Sequence, residues 1–565
     1  MASRANKQPS AAAVVDKRSY SPLWLAAALT LAAIVFSPAI GAPFVFDDYH
    51  LPFANPNVSQ MPARFWIGGV RPLLMATYWI NYRLSGTQTF SYHAVNLILH
   101  TTTAVLVFFL LQRLILVSAL RVDPFWSALG GSCVFLLHPL QTEAVDYIAG
   151  RSEIVCALFV LAGWLVFLKH FDANTKMSTA ASVVACGAAA VLSKESGVCL
   201  ALLLVATDIY WKPAGLMAQL RRRLLLYVPL GVGLAIAVAA ILKGLVRSTT
   251  AGFTVGGPLS YALTECRVIV LYLRLFFFPA GQNVDWQIPL VNNLGDSNAW
   301  VYLSAMTLLV SAICLFYRRA RAVSFGLLVF LLALAPTSSF VPIRDAMAER
   351  RMYLPILGLI FALIGVVDKS KHTPRLLAPV AVSVLAVLAI LSYDRSRIWA
   401  SDVSLWENAA AENPRNARAH ASLGSALMLR HECVGAAREF KVVVELQGID
   451  DVNGRNLGTA YECSRQPDRA LATYRQLVAV HPVSEAYARI GYLEALAEHA
   501  NASLAAFDTA LRLDPNNAPA YAFRGVARIA MNDLKGAGDD FRHALAIDPT
   551  NDIASTWMAK LPHDR

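Results

Sequence analysis

Charge is scarce in this chain. Only 15% of its 565 residues are Asp, Glu, Lys or Arg, while 56% are hydrophobic and the mean hydropathy is +0.48. So apolar a composition excludes an ordinary soluble enzyme of this size and points to a chain that crosses a membrane many times. No glycine-rich P-loop and no dinucleotide fingerprint occurs, which argues against a cytosolic nucleotide-sugar as donor. No CxxC pair or Cys/His spacing suits zinc. Of eight cysteines, Cys133, Cys156, Cys186, Cys199, Cys266 and Cys314 sit in apolar stretches as small packing residues. Cys433 and Cys463 fall in a polar tail, where a disulfide between them is open. The net charge of +11 is not gathered into a basic stripe interleaved with aromatics, so nucleic acid is not an expected partner. Lys and Arg here mark cytoplasmic loops and contacts with anionic membrane lipid.

What is present divides in two. Residues 1–400 are apolar runs separated by short basic loops, and residues 401–565 are polar and alanine-rich. Runs of roughly membrane-spanning length fall at 22–41, 94–116, 126–139, 153–170, 178–194, 196–212, 223–243, 299–317, 323–340, 352–368 and 375–393. These eleven runs predict an all-α, polytopic membrane domain. The basic residues Arg4, Lys7, Lys17 and Arg18 before the first run read as the flank of an uncleaved anchor, with a signal peptide cleaved near Pro38–Ala42 as the rival. The stretch 262–278 is apolar but carries Glu265, Arg267 and Arg274. Taken as an amphipathic or re-entrant helix on the far side, it leaves all the basic loops on the side of the N-terminus. Those loops hold Arg113 and Arg121, Lys169 and Lys176, Lys212 with Arg221, Arg222 and Arg223, then Arg318, Arg319 and Arg321, and Lys369, Lys371 and Arg375. That is the arrangement the positive-inside rule requires, with the N-terminus cytoplasmic. Everything after the eleventh run then lies on the non-cytoplasmic side.

The tail repeats itself with a period near 34 residues. Leu423-Gly424, Leu457-Gly458, Ile490-Gly491 and Arg524-Gly525 recur at 34, 33 and 34, and Pro482, Pro515 and Pro549 at 33 and 34. Ala426, Ala460 and Ala527 fall where two helices must approach closely, and Phe440, Tyr474, Phe507 and Phe541 where a space between helices must be filled. This pattern resembles four tetratricopeptide (TPR) repeats, an α-solenoid, with Asp402–Pro414 as a partial leading unit. Such stacks present a concave groove for a peptide or protein segment, or serve as a rigid spacer or dimerisation arm.

Acids and fixed cations collect on the non-cytoplasmic side. Asp47 and Asp48 directly follow the first run. Adjacent residues do not share a face, so one is expected to point into a cavity and the other to support a loop, a cation or an arginine. Two solvated acids or helix caps are the plainer alternative. Such a pair also suits a divalent metal, a role the residues leave open. His138 ends a run, Glu143 lies five residues on, and Arg151 follows Gly150. Arg151 suits a bidentate phosphate contact or a pair with a neighbouring Glu. Lys194 sits in the turn Ser193-Lys194-Glu195. Arg71, Arg350 and Arg351 break the positive-inside trend, which suggests an anionic partner outside. A sugar carried on a polyprenyl phosphate fits this set. Phosphate is a good leaving group that needs cations to take its charge, and the attacking alcohol needs a base, which a carboxylate supplies.

Phe46-Asp47-Asp48, then His138-Pro-Leu-Gln-Thr-Glu143-Ala-Val145 with Gly150-Arg151, then Ser193-Lys194-Glu195, then Ala348-Glu-Arg350-Arg351-Met-Tyr-Leu-Pro355 form an ordered set. It resembles the transmembrane-and-TPR-containing O-mannosyltransferases, within the GT-C glycosyltransferases, over nearly the whole chain. The resemblance implies a GT-C-like membrane domain over 1–400 and a TPR domain over 401–565. It also implies inverting transfer of a sugar, typically mannose, from a polyprenyl-phosphate donor to a protein Ser or Thr hydroxyl. It carries the catalytic acid to Asp47, with Asp48 in support. His138, Glu143, Arg151, Lys194, Arg350 and Arg351 match motif positions and, with Arg71, are expected to contact donor phosphate or acceptor. Only four repeats and short loops suggest a bacterial relative, with an undecaprenyl-phosphate donor, in an inner membrane. The tail would then be periplasmic, or lumenal in another host, with its groove as a docking place for the acceptor. A lipid or polysaccharide acceptor, and a non-enzymatic scaffold whose repeats recruit partners, are the alternatives.

Overall fold

The computed structural model describes residues 22–171, 175–212, 216–250, 257–338, 343, 345–370 and 374–561. Arg4, Lys7, Lys17, Arg18 and Lys371, used above to set sides, lie outside the described residues. The chain forms two compact units, Met1–Leu405 and Trp406–Arg565, and no strand occurs among the described residues.

Helices stand at each expected apolar run of the first unit, with shifted ends. Among the described residues four stretches, Thr89–Val117, Ile148–Lys169, Ala299–Arg319 and Ala378–Ile398, are both long and apolar enough to cross a membrane. The expected count of eleven spans is not confirmed by that measure. The reason is length. Several of the runs fold as helices of 13 to 17 residues, among them Pro124–Leu137, Met177–Ser193, Cys199–Trp211 and Ile356–Lys369. At about 1.5 Å per residue these fall short of a hydrocarbon core of roughly 30 Å. The stretch around 262–278 is one continuous helix, Pro258–Phe277, outside that group of four, with Glu265 turned into the protein interior. A further helix, Pro72–Ser85, was not anticipated; it buries Leu74, Tyr78 and Asn81 against the site described below.

A large apolar core, in which Val107, Leu111, Phe135, Leu161, Trp164, Phe325 and Ile360 are buried, holds most of the unit, and Phe53, Trp66, Leu74, Tyr78, Tyr92 and Ile148 form a smaller cluster. Arg321–Leu334 and Ile356–Lys369 pack back to back through Gly326 and Gly358. A Cβ on Gly358 would stand 2.4 Å from the Phe330 amide nitrogen. Small residues allow such close approach where lipid gives helices no hydrophobic drive to associate. Ala299–Arg319 and Ala378–Ile398 turn Leu308, Leu315, Val382 and Ile390 outward, as helices facing lipid do. Hydroxyls within Thr89–Val117 bond back to the preceding turn, Thr101 to the Leu97 carbonyl and Thr103 to that of Leu99, which satisfies them without water.

The second unit is a stack of helix pairs: Ala417–Leu429 with Cys433–Gln447, Asp451–Cys463 with Pro467–Val480, Ser484–Leu496 with Ala500–Leu513, and Ala518–Ala530 with Leu534–Ile547. This is a TPR-type solenoid. Each recurring glycine seats the aromatic of its partner helix. A Cβ at Gly424, Gly458, Gly491 or Gly525 would meet the ring of Phe440, Tyr474, Phe507 or Phe541 at 2.4 to 2.9 Å. The turn inside each pair passes through a left-handed residue that is not glycine: His431, Arg465, Glu498 and Asn532 have φ of 60°, 57°, 61° and 62°. Asn416, Asp450, Asn517 and Asn551 cap helices that follow, each side chain accepting from an amide in the first turn. Cys433 and Cys463 are joined by a disulfide, with Cα atoms 5.6 Å apart, tying the second helix of one pair to the first helix of the next.

Candidate functional site

The site begins at the turn that follows the first helix. Phe46 takes a left-handed backbone, φ 52°, and directs the two following acids differently. Asp48 is fully buried. One of its carboxylate oxygens accepts from the Val45 amide at 3.1 Å and the other from the Ala149 amide at 2.8 Å. Asp48 thus closes its own turn and pins the loop ahead of helix Arg151–Lys169. Burial pushes its carboxyl up to about 7, against the lowering effect of those two amides, with Asp47 adding to the rise and Arg151 opposing it. Asp47 is half-buried. Its amide donates to the Tyr147 hydroxyl at 2.9 Å.

Arg151 does not line an open surface. It is 0% exposed. Its guanidinium donates to the side-chain oxygens of Asn96 at 2.7 Å and Asn81 at 2.9 Å, and to the Tyr92 carbonyl at 3.0 Å. It also lies over the Tyr78 and Tyr92 rings, 4.6 and 5.7 Å from their centroids. The expected bidentate phosphate contact has no room here, because the fork is already filled by protein acceptors. His138 is buried too. Its Nε2 faces the Phe276 carbonyl at 3.0 Å, its Nδ1 accepts from the Leu140 amide at 3.2 Å, and its ring stacks on Phe276. Both nitrogens are used in holding the loop, so His138 is a structural pin in this geometry and meets no donor or acceptor surface.

The other expected residues gather as ion pairs. Arg350 pairs with Glu143 through its guanidinium and also donates its amide to that carboxylate at 2.9 Å. Lys194 pairs with Glu153. Arg71 grips Glu195 with Nε and Nη2, at 3.1 and 2.8 Å. Burial works to raise the Glu195 carboxyl, but the Arg71 bonds outweigh it and hold it below the usual range. The pairs are close enough to act on one another: Lys194 feels Arg71 and Arg350, and Arg350 feels Glu153. The cations differ in access. The side chains of Arg71 and Arg350 are 36% and 23% exposed, whereas Glu143 is 1%. Arg351 donates to the carbonyls of Ala346 and Asp345, both at 2.6 Å, and has no ion pair with a carboxylate among the described residues. It lines a small cleft together with Glu153, Cys156, Ser196, Cys199 and Pro355. Glu349 turns inward and accepts from Gln282 Nε2, the Asn283 amide and Trp286 Nε1 at 2.6, 2.7 and 3.1 Å, which fastens the loop after Pro258–Phe277.

Sequence reasoning missed Tyr147. It stands two residues past the motif that ends in Val145, and it joins Asp47 to Arg350, whose guanidinium lies 5.7 Å from its ring centroid. Asn81 and Asn96, which fill Arg151, were missed as well; polar residues at a helical spacing from Tyr78 and Tyr92 were the available signal. No three His, Cys, Asp or Glu side chains among the described residues come together as a metal site, and Asp47 and Asp48 diverge.

No family model matches the chain. It is similar to animal proteins named protein O-mannosyl-transferase. F38B6.6 of Caenorhabditis elegans is 26% identical over 431 residues, covering 71% of this chain and 59% of that protein. Human TMTC4 is 26% identical over 488 residues, covering 74% of this chain and 66% of that protein. The chain therefore spans about three fifths to two thirds of the length of these curated relatives. Both are animal proteins, so the bacterial placement expected from the short tail draws no support from them. Among solved structures, YrrB, a TPR protein with an unusual peptide-binding site, overlays with a TM-score of 0.26 at 19% identity, covering 32% of this chain and 89% of that one.

Proposed function

We propose that the chain is an integral-membrane mannosyltransferase that moves mannose from a polyprenyl-phosphate donor to a Ser or Thr hydroxyl of a polypeptide on the non-cytoplasmic face. The observation that carries this reading is the junction at Tyr147, where a half-exposed carboxylate, Asp47, stands beside a field of fixed cations. Similarity to the animal O-mannosyl-transferases supports the same chemistry.

In this reading the acceptor oxygen attacks C1 of the sugar with inversion, and its proton passes to the Asp47 carboxylate. The bond from C1 to the phosphate oxygen breaks, and the polyprenyl phosphate leaves with the electron pair. Its charge is taken up by Arg350 and Arg71 at the surface, with Lys194 behind them and Arg351, which has no carboxylate partner among the described residues, at the cleft. The acids paired with these cations hold them in place before the donor arrives, so little reorganisation is needed as charge develops. Asp48, Arg151, Glu143 and His138 build the frame. The repeat unit offers a groove for the acceptor polypeptide, on the side that the loop charges assign to it.

The test is transfer by the purified full chain, with tritiated mannose on dolichyl or undecaprenyl phosphate and a Ser/Thr-rich peptide as acceptor. Asp47→Asn is expected to lower the rate about a hundredfold or more, the usual worth of a positioned base. Parental turnover by that variant would sink the reading. Label appearing in a lipid or glycan fraction instead of the peptide would replace the acceptor.

A further inference from the structure

We infer that Tyr147 is a positioning residue, which holds the Asp47 backbone so that its carboxylate is placed for proton transfer and seats Arg350 with the same ring; the inference rests on the reading of Asp47 as the base. Tyr147 is 1% exposed, although it adjoins the half-exposed acid. Its hydroxyl accepts from the Asp47 amide at 2.9 Å, so it holds the backbone that carries the carboxylate. Its ring is clamped on several sides. Trp399 stacks against it with centroids 5.6 Å apart and planes 24° apart, the Phe46 ring lies at 6.2 Å, and the Arg350 guanidinium sits over it at 5.7 Å. Trp399 is itself fully buried.

A tyrosine side chain has two torsions, and here both are set by packing, so its hydroxyl is a fixed point. An aspartate in a surface turn would otherwise sample several rotamers, and only some bring an oxygen within about 3 Å of an attacking hydroxyl. Tying the backbone of Asp47 to a rigid anchor narrows that freedom ahead of the reaction. Burial, followed by the nearby Asp48 and Asp47, raises the phenol well above its ordinary value, so the hydroxyl stays neutral across neutral pH. Arg350 gains a seat on the same ring while its own charge is held by Glu143. The anchoring of the base and the seating of the donor-side cation therefore share one side chain.

Tyr147→Phe keeps the ring and removes the hydroxyl. Measured with the same donors and peptide, it is expected to lower kcat about tenfold, the equivalent of one hydrogen bond. KM for the donor should stay within threefold, because Arg350 keeps its seat. In an Asp47→Asn background the same change should alter the residual rate no further. A Tyr147→Phe enzyme with kcat within twofold of the parent overturns the inference, and so does an equal loss in both backgrounds. Trp399→Leu, which opens the stack and spares every hydroxyl, is the second variant. It should lower kcat at unchanged KM, with Trp399→Phe restoring most of the loss; parental kcat for Trp399→Leu also overturns the inference. If Asp47→Asn transfers mannose at the parental rate, the functional reading itself has failed. If Asp47→Asn is inactive while Tyr147→Phe is not impaired, only the role of Tyr147 falls.

Discussion

Replacing Arg151 by lysine keeps the positive charge and removes the planar fork. In the structure that fork spans two helices at once: Asn96 and the Tyr92 carbonyl on helix Thr89–Val117, and Asn81 on helix Pro72–Ser85. An ammonium on a flexible stem reaches one of these sites and leaves the others. Hydrogen bonds to a charged group are worth about 1.5–3 kcal/mol each, and a buried acceptor left without a partner costs a similar amount. Loss of two such bonds comes to about 4 kcal/mol, and the stacking over Tyr78 and Tyr92 weakens as well. At about 2 °C per kcal/mol for a large domain, the thermal midpoint should fall by roughly 8 °C. The assay is intrinsic tryptophan fluorescence of the detergent-solubilised chain during heating, alongside KM for the lipid-phosphate donor. If Arg151 is a pillar, the midpoint drops and the donor KM of the protein that remains folded stays near the parental value. A midpoint within 2 °C of the parent, together with a tenfold rise in donor KM, would refute the structural role and return Arg151 to the phosphate.

Two further outcomes follow from other parts of the molecule. Asp48 is held at about 7, above its ordinary 3.8, so the folded protein binds its proton more tightly than the unfolded chain does. Its share of stability is therefore complete below about pH 4 and is lost as pH rises toward 7, a change of about 4 kcal/mol. Thermal midpoints measured across that window should fall with rising pH in the parent and flatten in Asp48→Asn, whereas equal slopes would contradict the burial argument. In the repeat unit, the Cys433–Cys463 bridge closes a loop with a sequence separation of 30. Cys463→Ser should lower the stability of that unit by about 3 kcal/mol, read by urea unfolding monitored by circular dichroism, and adding reductant should bring the parent to the same value.

Periodic features were legible from residues alone. The repeat unit announces itself because each copy needs the same glycine to seat the same ring, as at Gly458 beneath Tyr474, and selection for that contact writes a 34-residue period. Even there the turn residues were hidden. His431, Arg465 and Glu498 carry a left-handed backbone that tertiary packing imposes against their own preference. Apolar runs located helices in the first unit, but composition did not reveal that several would fold too short to span unaided, since helix ends are set by caps and packing as much as by hydropathy. Charged residues were easy to find and hard to pair. Arg151 and Arg350 look alike in the sequence; one is enclosed by asparagines and tyrosines and the other reaches the surface against Glu143.

By itself, then, the sequence determined that this is an all-helical chain with an apolar body and a repeating tail, because hydropathy and periodicity are local properties repeated along the chain. It also determined that acids and arginines gather at helix ends, because charge is excluded from apolar runs. Only the tertiary structure decided which acid faces inward, which arginines pair with a carboxylate, and that Tyr147 stands between Asp47 and Arg350. Those outcomes depend on contacts between residues about a hundred or more positions apart, as Asp48 with Ala149 and Glu143 with Arg350. No local pattern encodes them; they exist only once the helices have packed.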